Sequence, residues 1–219
     1  MKNINRFIEQ TNLKPAITAN DVDLLVRQAA DNSFLGICVP PFWVKRASRE
    51  IGKRDIQLVT VIGFPLGYNM TETKIHEIEL AIRDGADELD IVMNVSSFKT
   101  GLPWTKIELA KCSKLIHDEY KLLKVIIETA HLSKEEIKKA CLMCADAGVD
   151  YVKTSTGFAG KGAEVEDIRL MREVLPSNVG IKASGGIKTY QQAVELINAG
   201  ADRIGTSSGI EIMSEIAKG

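Results

Sequence analysis

The sequence predicts an α/β protein of the (β/α)₈ TIM-barrel class, and three observations carry that prediction. Eight β-rich runs alternate with eight amphipathic helical patterns along 219 residues, with no low-complexity linker and no break in composition. One joint recurs: Asp84-Gly85-Ala86-Asp87, Ala147-Gly148-Val149-Asp150 and Ala199-Gly200-Ala201-Asp202 each end a helix and lead into a strand. Glycine supplies the left-handed residue that closes such a helix. Third, the G-x-G-x-x-G turn of an open nucleotide-binding sheet is absent after the first strand, which favours a closed barrel over a doubly wound sheet. Residues 1–219 are expected to form a single domain.

The strands are expected, in order, at 6–13, 34–39, 56–64, 88–93, 122–129, 150–155, 179–184 and 203–207. Each is a short run rich in Val, Ile and Leu or closes on a Gly- or Ser-containing turn. Helical periodicity places helices at 19–31, 41–52, 71–84, 103–119, 133–147, 163–174, 189–199 and 209–217. Thr71, Ser133 with Glu136, and Thr189 supply side-chain oxygens to cap three of the helix starts.

Side chains alternate along a strand, so the apolar set of a barrel strand should face the helices and the other set the interior. In 179–184, Val179, Ile181 and Ala183 go outward and Lys182 inward. In 88–93, Leu89, Ile91 and Met93 go outward, turning Glu88, Asp90 and Val92 inward. Lys153 has apolar neighbours on both faces of its strand and is placed inward by analogy. Barrels carry functional groups at the C-terminal ends of their strands, so Asp90, Lys153 and Lys182 are expected to converge there.

A buried ammonium loses hydration, and two such groups raise each other's energy when both are protonated. One of the lysines, the more buried, is therefore expected to have a depressed pKa and act as a neutral nucleophile that forms an imine with a carbonyl. Asp90 would move protons in the carbinolamine and enamine steps. The plainer alternative is a buried Lys–Asp pair that only fixes the core. Gly157, Gly185, Gly186, Ser207 and Ser208 lie in turns after the last three strands, where backbone N–H groups suit a phosphate, and Lys188 adds charge. Thr11 and Cys38 are candidates for the substrate mouth, Cys38 equally as a packed hydrophobe. Lys124 reads as a satisfied structural charge near the closed bottom, Glu128 as a polar support near the mouth.

The remaining signals are blander. His76, His117 and His131 lack metal-ligand spacing, and neither metal nor cofactor is expected. Cys141 and Cys144 fall on the apolar stripe of a helix with Ile137, Ala140 and Ala145, so this C-x-x-C reads as packing. A net charge of −1 gives no case for nucleic acid or an anionic membrane as partner. No apolar run spans a bilayer, Met1–Glu9 has no secretory pattern, and four cysteines are too few for a disulfide framework, so the cytoplasm is the expected compartment. Oligomeric state is not specified, and a homo-oligomer is compatible with the sequence.

The motifs GICVPP (36–41), VIGFPLG (61–67), GADELDIVMN (85–94), LKVIIET (123–129), YVKTSTGF (151–158), IKASGGIK (181–188) and RIGTSSG (203–209) together resemble the deoxyribose-phosphate aldolase family, metal-independent Schiff-base aldolases on a TIM barrel. The resemblance implies that Lys153 forms the Schiff base, Lys182 is the second lysine that favours its neutral form, and Asp90 relays protons. It implies reversible cleavage of 2-deoxy-D-ribose 5-phosphate to D-glyceraldehyde 3-phosphate and acetaldehyde, with phosphate held by Gly157, Gly185, Gly186, Ser207 and Ser208. Two places depart from the family. Glu9, Gln10 and Asn12 replace an Asp-His-Thr-Leu-like start, touching the geometry at the aldehyde end, while Thr11 and Lys14 keep their places. Lys218-Gly219 closes the sequence without an aromatic tail. Two other readings stay open: a phosphosugar isomerase on the same barrel, and a barrel that binds metabolites without turnover.

Overall fold

The computed structural model describes residues 3–216; the Lys218-Gly219 end and Ala217, the expected last residue of the final helix, lie outside the described residues. Eight parallel strands close into a barrel in sequence order, β1 (Ile8–Thr11), β2 (Gly36–Val39), β3 (Gln57–Ile62), β4 (Glu88–Val92), β5 (Leu122–Ile126), β6 (Tyr151–Lys153), β7 (Gly180–Ser184) and β8 (Arg203–Thr206), with β8 pairing back onto β1. Around them run α1 (Ala19–Asp31), α2 (Val44–Ile51), α3 (Thr71–Arg83), α4 (Val95–Lys99), α5 (Trp104–Asp118), α6 (Lys134–Asp146), α7 (Val165–Val174), α8 (Tyr190–Asn198) and α9 (Gly209–Ile216). The α/β class, the barrel closure and the eight units are those expected from the sequence.

The strands are shorter than the apolar runs that announce them. Residues 6 and 7, expected in the first strand, belong to a 3₁₀ turn over Ile4–Phe7, and Leu13 and Phe64 pack over the interior residues Cys38, Val59 and Val61 instead of pairing. The five-residue α4 is too short to give a period, and Asn94 caps it by accepting from the Ser97 N–H at 3.0 Å. Ser133 and Thr189 cap α6 and α8 as expected, each in a reciprocal capping box. Thr71 does not cap α3: it is the first helical residue, and its hydroxyl donates to Glu108 Oε2 at 2.9 Å, because a neighbouring helix offers a buried carboxylate.

The recurrent Gly-x-Asp joint has two jobs. Gly85, Gly148 and Gly200 take φ of 104°, 78° and 116° and end α3, α6 and α8. The aspartate two residues on then reaches back to the strand before its own. Asp87 accepts the Leu58 N–H at 3.0 Å, Asp150 the Leu123 N–H at 2.8 Å and Asp202 the Ile181 N–H at 2.8 Å. These carboxylates satisfy N–H groups at the bottom of the barrel that the parallel ladder leaves open.

Outward strand residues such as Ile37, Leu89, Ile91, Val125, Val152, Ile181 and Ile204 are fully buried under the helices. Each contributes about 1.5–3 kcal/mol by burial, and this layer holds the fold together. The inward face is different in kind. Beside β2 and β3 it is apolar, formed by Cys38, Val59 and Val61; the other strands present Glu9, Glu88, Asp90, Lys124, Lys153, Lys182 and Arg203. Buried ion pairs seldom repay their desolvation, so this charged sector is a poor source of stability. No helix among the described residues is long and apolar enough to cross a membrane.

Candidate active site

Strand register sets the charged groups side by side in pairs. Asp90 lies opposite Lys124 across β4 and β5, and Lys153 opposite Lys182 across β6 and β7. Asp90 Oδ2 accepts from both Lys153 Nζ at 2.8 Å and Lys182 Nζ at 2.7 Å, while its Oδ1 accepts from Lys124 Nζ at 3.0 Å. Lys182 also pairs with Glu9, and Lys124 with Glu88 and, at 3.6 Å, with Glu9. Arg203 closes the network, 3.5 Å from Glu9 and 3.3 Å from Glu88, with its guanidinium 5.1 Å from the Tyr151 ring centre.

Three carboxylates therefore meet four cations. Burial pushes the Asp90 carboxyl up, but Lys124, Lys153 and Lys182 outweigh that and hold it well below the usual carboxylate range. Burial likewise disfavours charge on Lys182 and Lys124. The carboxylates around them prevail, and both ammonium groups have raised pKa values. The expectation that the more buried lysine is the neutral one is thus corrected: Lys182 is wholly buried and is a fixed cation. That expectation counted two lysines and one carboxylate, and the network holds two carboxylates more. Lys124, Lys182 and Arg203 already equal the three acids in number, which leaves Lys153 as the fourth basic side chain of the network.

Above the network opens a cavity of about 220 Å³. Lys153 lines it, whereas Lys182, Lys124 and Asp90 lie beneath. Of the residues singled out from the sequence, Thr11, Asn12, Gly157, Gly185, Gly186, Lys188 and Ser207 also line this cavity. Gly185 is sterically required, since its φ is 88° and a Cβ there would stand 3.0 Å from Gly162 Cα. Two candidates sit elsewhere. Ser208 is not on the cavity; its N–H is taken by Thr206 Oγ1 at 2.9 Å. Cys38 is fully buried in the apolar sector, where burial pushes its thiol up to about 11, so it packs and does not line the mouth. Cys141 and Cys144 are buried and free in α6, as their spacing implied.

Lys124 was read as a satisfied charge and is one, but it touches Asp90 and so belongs to the site. Its inward parity on β5 was legible; its height was not. Gln10 faces outward, giving its Nε2 to the Ser207 carbonyl at 3.3 Å and accepting the Gly209 N–H at 2.9 Å, which braces the loop between β8 and α9.

Residues 6–215 match the sequence profile of the DeoC/LacD family aldolases. The chain belongs to that family. A deoxyribose-phosphate aldolase of Thermococcus kodakarensis is 47% identical over 215 residues, 97% of this chain and 96% of that protein. One of Brevibacillus brevis is 47% identical over 213 residues, 97% and 96% of the two chains. Among solved structures, "QR15, an Aldolase" superposes with a TM-score of 0.94 at 41% identity, covering 100% of this chain and 97% of its own. A deoxyribose phosphate aldolase from Aeropyrum pernix, described as a unique tetrameric structure, does so with 0.91 at 33%, covering 98% and 91%. In this DeoC/LacD aldolase the departures in β1 have a structural meaning. Glu9 spans Lys182, Lys124 and Arg203 at once.

Proposed function

We propose that the chain is a class I deoxyribose-phosphate aldolase in which Lys153 forms the imine, Lys182 is the fixed cation beside it and Asp90 moves protons. The observation that carries this reading is that Lys153 alone among the network's lysines borders the cavity while sharing an Asp90 oxygen with Lys182. The neutral Lys153 amine attacks C1 of open-chain 2-deoxy-D-ribose 5-phosphate, and the carbinolamine loses water to give the protonated imine. The C3 hydroxyl then gives up its proton, the C2–C3 bond breaks and its electron pair passes into the imine as an enamine, releasing D-glyceraldehyde 3-phosphate. Protonation of the enamine carbon and hydrolysis release acetaldehyde and restore the lysine. Asp90 serves these proton transfers directly or through water.

The phosphate is assigned to Gly157, Gly185, Gly186 and Ser207, with Lys188 adding charge; this is supported by their lining the cavity that Lys153 borders. A homo-oligomer belongs to the reading, supported by exposed Tyr68, Met70 and Trp104 and by the tetrameric Aeropyrum pernix relative. The cytoplasm does as well, supported by four free, buried cysteines.

Release of acetaldehyde from 2-deoxy-D-ribose 5-phosphate by protein dialysed against EDTA tests the reading, because the imine is the electron sink. Turnover that returns only with added metal would overturn it. Replacing Lys182 with Leu removes the positive charge beside Lys153 and leaves Asp90 and Glu9 less neutralised, so Lys153 holds its proton more firmly. The rising limb of the kcat/KM profile is expected to move to higher pH; an unmoved limb at near-native rate would end the role given to Lys182.

A further inference from the structure

Glu128 is a buried acid outside the network. It follows β5, is 4% exposed, and no ion pair among the described residues contains it. Its backbone lies in the left-handed region at φ 54° and ψ 72°, which non-glycine residues rarely adopt. The ladder shows why. Ile127 N–H donates to the Lys153 carbonyl and Thr129 N–H to the Thr154 carbonyl, so two residues of one strand advance against one of the other. That is a bulge at the C-terminal rim of the barrel, and a bulge re-aims a side chain.

The side chain so aimed meets one residue. Glu128 Oε2 accepts both the Thr156 N–H at 3.2 Å and the Thr156 hydroxyl proton at 2.5 Å, while Oε1 has no partner. Thr156 lines the cavity beside Lys153 and Gly157. A hydroxyl has one proton and two lone pairs. Here the proton goes to Glu128 and one lone pair takes the Phe158 N–H at 3.1 Å. What Thr156 has left to offer is a single acceptor.

We propose that Glu128 is a positioning residue that fixes the Thr156 hydroxyl as an acceptor and thereby selects acceptor aldehydes bearing a hydroxyl next to the carbonyl. The inference rests on the aldolase reading: with the imine at Lys153 and the phosphate at the Gly157 loop, Thr156, which borders the same cavity as both, is assigned to the hydroxylated carbon next to the phosphate-bearing one. A free threonine hydroxyl could turn to donate or accept and would discriminate weakly. One whose proton is held can only accept, and an aldehyde lacking the hydroxyl leaves that acceptor unpaired.

The test is the ratio of kcat/KM for condensing acetaldehyde with glyceraldehyde 3-phosphate to that with 3-phosphooxypropanal, which lacks the hydroxyl. Thr156→Val and Glu128→Met should each lower this ratio about tenfold or more, and the double variant should lower it no further. Glu128→Gln retains an acceptor in the same place and should keep the ratio near the wild-type value. A structural fault would depress both substrates alike and leave the ratio unmoved. If Glu128→Met does not fold, Glu128→Asp takes its place, withdrawing the carboxylate by one methylene. An unmoved ratio in Thr156→Val, or losses that add in the double variant, overturns the proposal while the aldolase reading stands. Failure of the wild type to condense either aldehyde overturns both.

Discussion

Treated with acetaldehyde and then borohydride, the protein is expected to gain one ethyl group, on Lys153, and to lose activity in proportion. The chemistry selects the amine that is both unprotonated and reachable. Lys182 and Lys124 fail on both counts, since each is held charged by two or more carboxylates and neither borders the cavity. Lys153→Leu should take up no adduct and lose activity on the order of 10⁶-fold, the scale seen when a covalent nucleophile is removed. Peptide mapping reads the result, and an adduct on Lys182 would exchange the roles of the two lysines.

Asp90→Asn is expected to show the second largest effect, and it separates two properties of one carboxylate. Loss of the proton carrier should lower kcat by about 10²–10⁴-fold. Loss of the charge leaves Lys124, Lys153 and Lys182 without their shared anion, and breaking a buried pair costs about 3–5 kcal/mol. The pH dependence identifies the source. Asp90 titrates lower in the folded than in the unfolded state, where a carboxyl has a pKa of about 3.9, so its contribution is present above that value and lost as pH falls through the folded pKa. The stability gap between wild type and variant should thus be constant near neutrality and narrow in acid. A denaturation series with a gap that ignores pH, or near-normal turnover of the variant, would reduce Asp90 to scaffold.

Strand parity made Asp90 and Lys182 legible, because their neighbours are cleanly apolar on the outer face. It could not decide Lys153, whose three-residue strand is flanked by apolar residues on both sides; its inward placement rested on analogy with the other strands, and its role as the imine lysine on the family resemblance. Lys124 shows where parity stops. Its inward direction follows from Leu123 and Val125, but its height depends on the stagger between β4 and β5, which pairs it directly with Asp90. Nothing in either segment encodes that offset. Glu9 was visible as a departure from a motif, yet its reach to Lys182 and Lys124 arises only when β1 closes against β8. The Glu128 bulge was hidden for a different reason: a left-handed glutamate leaves no mark in composition or periodicity, and the run LKVIIET reads as uninterrupted strand.

The interior network also divides along the chain. Glu9, Glu88 and Asp90 come from β1 and β4, whereas Lys124, Lys153, Lys182 and Arg203 come from β5 to β8. The first half-barrel is therefore an anion on its inner face and the second a cation. Neither half can bury that face alone, because each would confine like charges in a dry interior, and among the described residues each supplies the other's counterions. An apolar barrel interior would permit a collapsed half to persist. Here the two charged faces are compensated only when the halves meet, so ring closure and charge compensation are one event, and the groups around Lys153 also act as the lock between the halves.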